Sequence, residues 1–189
     1  MRSPTADQDG SVISIPVPTE APVAFDTAQV DTEPEFTLTA PWIEGGAIPA
    51  RFTCRGGDAA PMVSWSDSPV GTVSFALVLV DTTQVTESSI GFIHWVAYNI
   101  DANVTSLDAA ALPAGVVAAN SDFGTADSPV TTWRGPCPPV GQTHTYVLEL
   151  HALDQMLEVM DGSSAADVVR AIDAATIDTA SITASDTGV

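Results

Sequence analysis

The stretch "VSFALVLVD", Val73 to Asp81, constrains the fold more than any other part of the chain. An apolar run this short falls well below the roughly 20 residues that a helix needs to span a bilayer, so it reads as a buried strand closed by a carboxylate. Further strand candidates are "FTLTA" (Phe36–Ala40), "FIHWVAYNI" (Phe92–Ile100) and "TYVLELHAL" (Thr145–Leu153), with the buried strand itself running Thr72–Asp81 and a weaker terminal "ASITA" at Ala180–Ala184. Clusters of Gly, Pro, Asp and Ser separate them, the punctuation of an antiparallel β-sandwich, so the expected class is mainly β. One helix is expected near the end. Ser164 and Asp167 make a capping-box-like start, and Ala165, Val168, Val169 and Ile172 follow helical spacing.

Residues 1–34 are rich in Thr, Pro, Asp, Glu and Ala without a sustained period, and read as a flexible acidic tether ahead of a domain over residues 35–189. The start "MRSPTADQDG" lacks the basic and apolar regions of a signal peptide. Tethers of this kind follow removed leader or lipid-anchor segments, so an exported protein is expected, with a cytoplasmic one as the alternative. The chain holds 24 acidic residues against five arginines and no lysine, a formal net charge of −19. Such a surface repels phosphate backbones and anionic head groups at long range, which argues against nucleic acid and acidic membrane surfaces as partners. The acidity suits either a high-salt habitat or a secreted protein kept soluble by charge.

Polar residues at strand ends mark a candidate site. Period-2 reading puts Phe92, His94, Val96 and Tyr98 on one face and Ile93, Trp95, Ala97 and Asn99 on the other. In the last long strand His144, Tyr146, Leu148 and Leu150 share a face. Immediately before it, "GPCPPVGQTHTY" packs Pro136, Pro138 and Pro139 into one loop. Proline fixes φ and removes a backbone donor, so these residues cannot enter a sheet interior and make a preset wall beside the strand. His151 shares a face with Glu149 and is expected to pair with it at the surface. The four tryptophans read as packing residues.

The segments "AIPARFTCRGGDAAPMVSW", the strand ending at Asp81, "GFIHWVAYNI", "SDFG" and "GPCPPVGQTHTYVLELHALD" occur in an order that resembles the phosphatidylethanolamine-binding protein family, and most closely its bacterial and archaeal, Raf-kinase-inhibitor-like branch. The resemblance covers about Phe36 to Ala184. It implies a β-sandwich with C-terminal helical decoration and a small pocket for phosphate-like or other anionic head groups. By position it implies ligand-binding roles for Asp81, Phe92, His94, Gly135, Cys137, Pro138, Pro139, His144 and Tyr146. Two departures stand out. Thr83 replaces the second aspartate of the motif opened by Asp81, whose prolines are also missing, and Thr145 stands where an arginine is usual. A less rigid loop after Asp81 is the expectation.

Two imidazoles and a phenol supply hydrogen-bond donors, and backbone N–H groups of Gly135 and Cys137 would add more if they point inward. The expected function is a binding protein for a small anionic or phospholipid head group, without catalytic activity or cofactor. One alternative is an inhibitor of a kinase or protease. Another is a metal-dependent hydrolase, since Asp81, His94 and His144 could ligate zinc; no metalloprotease or serine-hydrolase motif accompanies them. Cys54 and Cys137 are the only cysteines. Two readings stay open for them, a disulfide and a pair of buried free thiols. "ARFT" before Cys54 reads as strand-like.

Overall fold

A computed structural model describes residues 34–84, 90–160 and 162–189. But for Pro34, the tether expected over residues 1–34 lies outside the described residues.

Two sheets carry the fold. The smaller is antiparallel, with β1 (Thr37–Thr39), β3 (Met62–Ser66) and β6 (Ser106–Asp108) in that order. The larger has the order β2-β9-β8-β4-β5-β7, where β2 is Gly46–Ala47, β4 Ser74–Asp81, β5 Phe92–Asp101, β7 Val117–Ala118, β8 Thr143–Leu153 and β9 Thr176–Thr187. Only its β2–β9 pair is parallel. The sandwich expected from the sequence is present, and the expected strands Phe36–Ala40, Thr72–Asp81, Phe92–Ile100 and Thr145–Leu153 correspond to β1, β4, β5 and β8. The terminal strand is longer than "ASITA" predicts. Its twelve residues follow the helix directly and pair with all of β8, so tertiary pairing overrides a weak local pattern.

All eight residues of β4 are buried, which explains its continuous apolar run. Phe75, Leu77 and Leu79 face the sandwich core with Trp65, Leu107, Leu148 and Leu150. Ala76, Val78 and Val80 face the other way, into a second core beneath α1 (Ala165–Ala175) with Val168, Val169 and Ile172. A strand covered on both faces needs no alternation. The helix begins as its sequence predicts: the Ser164 side chain caps it by accepting from the Asp167 N–H at 3.2 Å.

The period-2 reading of β5 is corrected by two irregularities. Leu79 pairs with Trp95 and Val80 with Ile93, so His94 is an extra residue in a bulge; a second shift lies between the Phe75–Ile100 and Leu77–Ala97 pairs. The first bulge turns Trp95 and Ala97 into the sandwich core, while Val96 and Tyr98 join Ile93 beneath the helix. Asn99 takes up the second in a left-handed conformation (φ 60°), and its amide brackets the backbone of Leu157 at 2.8 and 3.0 Å. "ARFT" is likewise not extended. Residues Ala50–Phe52 and Cys54–Gly56 form two short 3-10 turns after Pro49. His151 is buried rather than at the surface, with Nε2 3.5 Å from a Glu149 carboxylate oxygen and Nδ1 3.2 Å from the Thr176 hydroxyl.

Candidate functional site

Antiparallel register brings the candidate residues to one end of the large sheet. Asp81 ends β4 and sits directly between Tyr146 of β8 and Phe92 of β5. His144 lies two residues before Tyr146 on the same strand face, and the β5 bulge delivers His94 beside them. Asp81, Phe92, His94, Cys137, His144 and Tyr146, with Gln84 and Phe123, line a cavity of about 90 Å3.

Asp81 is the hub. One carboxylate oxygen accepts from His144 Nδ1 at 2.6 Å and from Gln84 Nε2 at 3.1 Å; the other accepts from the Thr83 backbone N–H at 2.9 Å. The group is 1% exposed, so three donors offset the loss of water around a buried charge. Because a carboxylate only accepts, His144 carries a proton on Nδ1, and its Nε2 lies 3.3 Å from the Gln142 amide. An amide can donate or accept there by turning over.

His94 is held differently. Its Nδ1 donates to the Arg134 carbonyl at 3.0 Å. Aromatic rings surround it: Phe123 at 5.0 Å, and Phe92 and Tyr146 each at 5.3 Å between centroids. Burial therefore pushes the His94 pKa below its ordinary value of 6.5, against the opposing pull of the Arg134 carbonyl and of Asp81, Asp122 and Asp58. With Nδ1 protonated toward a carbonyl, the neutral ring presents Nε2 as an acceptor, not as the donor expected from the sequence. Tyr146 stays a neutral phenol. Burial, then the charges of Asp81 and Asp186, hold its pKa far above the usual value, partly offset by the Cys137 backbone N–H and by Arg55.

The proline loop acts otherwise than expected. Gly135, Pro138 and Pro139 do not line the cavity. The Gly135 N–H is spent on the Asp58 carboxylate at 2.9 Å, and a side chain there would lie 1.9 Å from the Phe52 carbonyl, so glycine serves close backbone approach. The carbonyls of Pro138 and Pro139 pack on Gly188 at the chain's end, and the Cys137 N–H is directed at the Tyr146 hydroxyl. Cys54 and Cys137 are joined in a disulfide, Cα atoms 5.4 Å apart, that ties the loop to the 3-10 turns. Next to it Arg55 grips both oxygens of Asp186, the residue paired with His144 across β8 and β9.

The two departures from the resemblance meet each other. The Thr83 hydroxyl accepts from the Thr145 N–H at 2.7 Å, and the Thr82 hydroxyl donates to the Thr145 carbonyl at 3.2 Å. Residues Thr82–Gln84 are thereby fastened to β8 in a 3-10 turn, while residues 85–89 lie outside the described residues. Phe123 is the wall that strand reading missed. It sits in a loop, is 44% exposed, and stacks edge-on against Phe92 at 4.8 Å. The signal available was a bulky aromatic in the otherwise small and polar "NSDFGTADS". Among the described residues no cluster of three or more His, Cys, Asp or Glu could hold a metal ion, and no helix is long and apolar enough to cross a membrane.

Comparison with known proteins places this geometry in context. The crystal structure of Escherichia coli YbcL, described as a new member of the mammalian PEBP family, superposes with a TM-score of 0.72 at 33% identity, covering 82% of this chain and 99% of YbcL. A UPF0098 protein of Methanothermobacter thermautotrophicus is 38% identical over 133 residues, 68% of this chain and 82% of that one. LppC of Mycobacterium tuberculosis, which is named as a lipoprotein, is 32% identical over 158 residues, 82% of this chain and 74% of LppC. The family profile described as phosphatidylethanolamine-binding protein matches residues 39–186. The chain belongs to the phosphatidylethanolamine-binding protein family.

Proposed function

We propose that the cavity beside Asp81 binds a small anionic group of the phosphate type, free or as a lipid head group, and that the protein acts by binding rather than by catalysis. The observation that carries this reading is the convergence of His94, the Asp81-oriented His144 and the neutral phenol of Tyr146 on one enclosure of about 90 Å3. Pockets for drug-sized ligands run from about 300 Å3 upward, so this one suits a head group and leaves any longer chain outside. The proton inventory sets the charge state. Asp81 is an anion at the wall, so an incoming anion is favoured only where an imidazole gains a proton or the ligand brings one. A hydrogen phosphate can donate to the bare Nε2 of neutral His94, and a sulfate needs that nitrogen protonated. Local donors must also overcome the repulsion of a chain with net charge −19.

An exported or envelope location belongs to the same proposal. The disulfide supports it, since such bonds persist in oxidising compartments, as does the likeness to LppC. Titration calorimetry with inorganic phosphate, phosphoethanolamine and sulfate tests the binding. Saturable heats that vanish in both His94→Gln and His144→Gln variants are expected. Unchanged binding in both variants would remove the cavity from the account.

A further inference from the structure

A second and larger cavity, about 370 Å3, lies behind the first. The segment Trp133–Gly135 separates the two. Its Arg134 carbonyl holds His94 on one side, and its Gly135 N–H holds Asp58 on the other. Trp95 and Trp133, edge to face at 5.8 Å between centroids, make the aromatic wall; Ala60, Ala109 and Leu112 add apolar surface, and Thr131 and Thr132 add hydroxyls.

Asp58 is the one charged residue among those lining the cavity. Asp58 uses one carboxylate oxygen on the Gly135 N–H, and no described residue donates to the other. Its backbone is held in the left-handed region (φ 54°), just after Gly57, and the Gly135 N–H positions the carboxylate. Among the described residues no cationic side chain lines the cavity.

We propose that this cavity is a second binding site, for a small organic ammonium ion whose apolar body packs on Trp95 and Trp133 and whose charge meets Asp58. One carboxylate with an aromatic wall suits an ammonium, which indole faces attract, and not a hard metal ion, which needs several oxygen ligands. The acidic chain concentrates cations around itself.

Phenethylamine is the probe, followed by tryptophan fluorescence and calorimetry at low and constant ionic strength, with 2-phenylethanol as the neutral comparator. Asp58→Asn keeps the acceptor for Gly135 while removing the charge, and its melting temperature verifies the fold. Affinity for phenethylamine is expected to fall at least about tenfold in this variant, as it does when one partner of a shielded charge pair is lost. It is also expected to fall in Ala110→Trp, which plugs the exposed rim, and to persist in excess inorganic phosphate. Equal binding by wild type and Asp58→Asn, equal binding of 2-phenylethanol, or displacement by phosphate would each overturn the site. The Asp58→Asn comparison decides this whether or not the smaller cavity binds phosphate.

Discussion

Asp81 and His144 are hydrogen-bonded at 2.6 Å although 63 residues separate them, because the antiparallel register of β4 and β8 places Asp81 opposite Tyr146 and His144 one pleat beyond. Among the described residues the other contacts of these two side chains are longer: Thr83 N–H and Gln84 on Asp81 at 2.9 and 3.1 Å, and Gln142 on His144 at 3.3 Å. Asp81→Asn is expected to misorient His144 and lower phosphate affinity. It should also cost about 1–3 kcal/mol of stability, the range for disturbing a buried, charge-assisted hydrogen bond. His144→Ala strips the same carboxylate of a donor, so its stability falls too. Chemical denaturation beside ligand titration measures both, and a variant that loses neither would make the hydrogen bond incidental.

The pH dependence of binding follows from His94. Its pKa lies below 6.5 because it is buried. Sulfate affinity should therefore be nearly flat from about pH 8 to about pH 7 and rise only below about pH 6.5, where a histidine of lowered pKa begins to take up its proton. Without ligand the sign reverses. Burial of the neutral ring contributes stability that is fully present above about pH 6.5 and is lost as pH falls, because the unfolded chain protonates first. His94→Gln should flatten the stability profile. A steep rise in affinity between pH 8 and pH 7 would assign the proton elsewhere.

Phe123 shields His94 from water, so Phe123→Ala should bring the His94 pKa back up toward its ordinary value. Proton or nitrogen NMR titration of the imidazole reads this directly. The stability cost should stay near about 1–2 kcal/mol, less than for a fully buried phenylalanine, because the ring is 44% exposed. An unmoved titration would mean that Phe92 and Tyr146 alone desolvate the ring.

The disulfide closes a loop with a sequence separation of 83. The chain-entropy relation assigns a loop of that size about 4 kcal/mol, so the Cys54→Ser, Cys137→Ser double variant should unfold at markedly lower denaturant concentration. Cys137 also lines the cavity, so the freed loop should bind phosphate more weakly even where the fold persists. Equal binding under folding conditions would separate the loop's covalent anchor from the site.

How much the sequence determined can be read from particular elements. Apolar runs of strand length bounded by turn residues located β4, β5 and β8, because a strand covered by apolar layers needs an apolar code of its own, and the Ser164 cap with the helical spacing after it located α1. The short strands β2, β3, β6 and β7 escaped, since two to five residues carry little pattern. The family resemblance gathered six of the cavity's eight residues, but it could not assign their hydrogen-bonding roles. Only the tertiary structure decided those. The bulge at His94 is invisible in the sequence, because a bulge is a mismatch between two strands rather than a property of one. The same holds for His94 as an acceptor, which depends on the Arg134 carbonyl 40 residues away, and for Gly135, whose donor is consumed by Asp58 from across the fold. Local sequence sets which residues can reach a sheet end; the partners waiting there, and hence the charge each group carries, come from segments that only folding brings together.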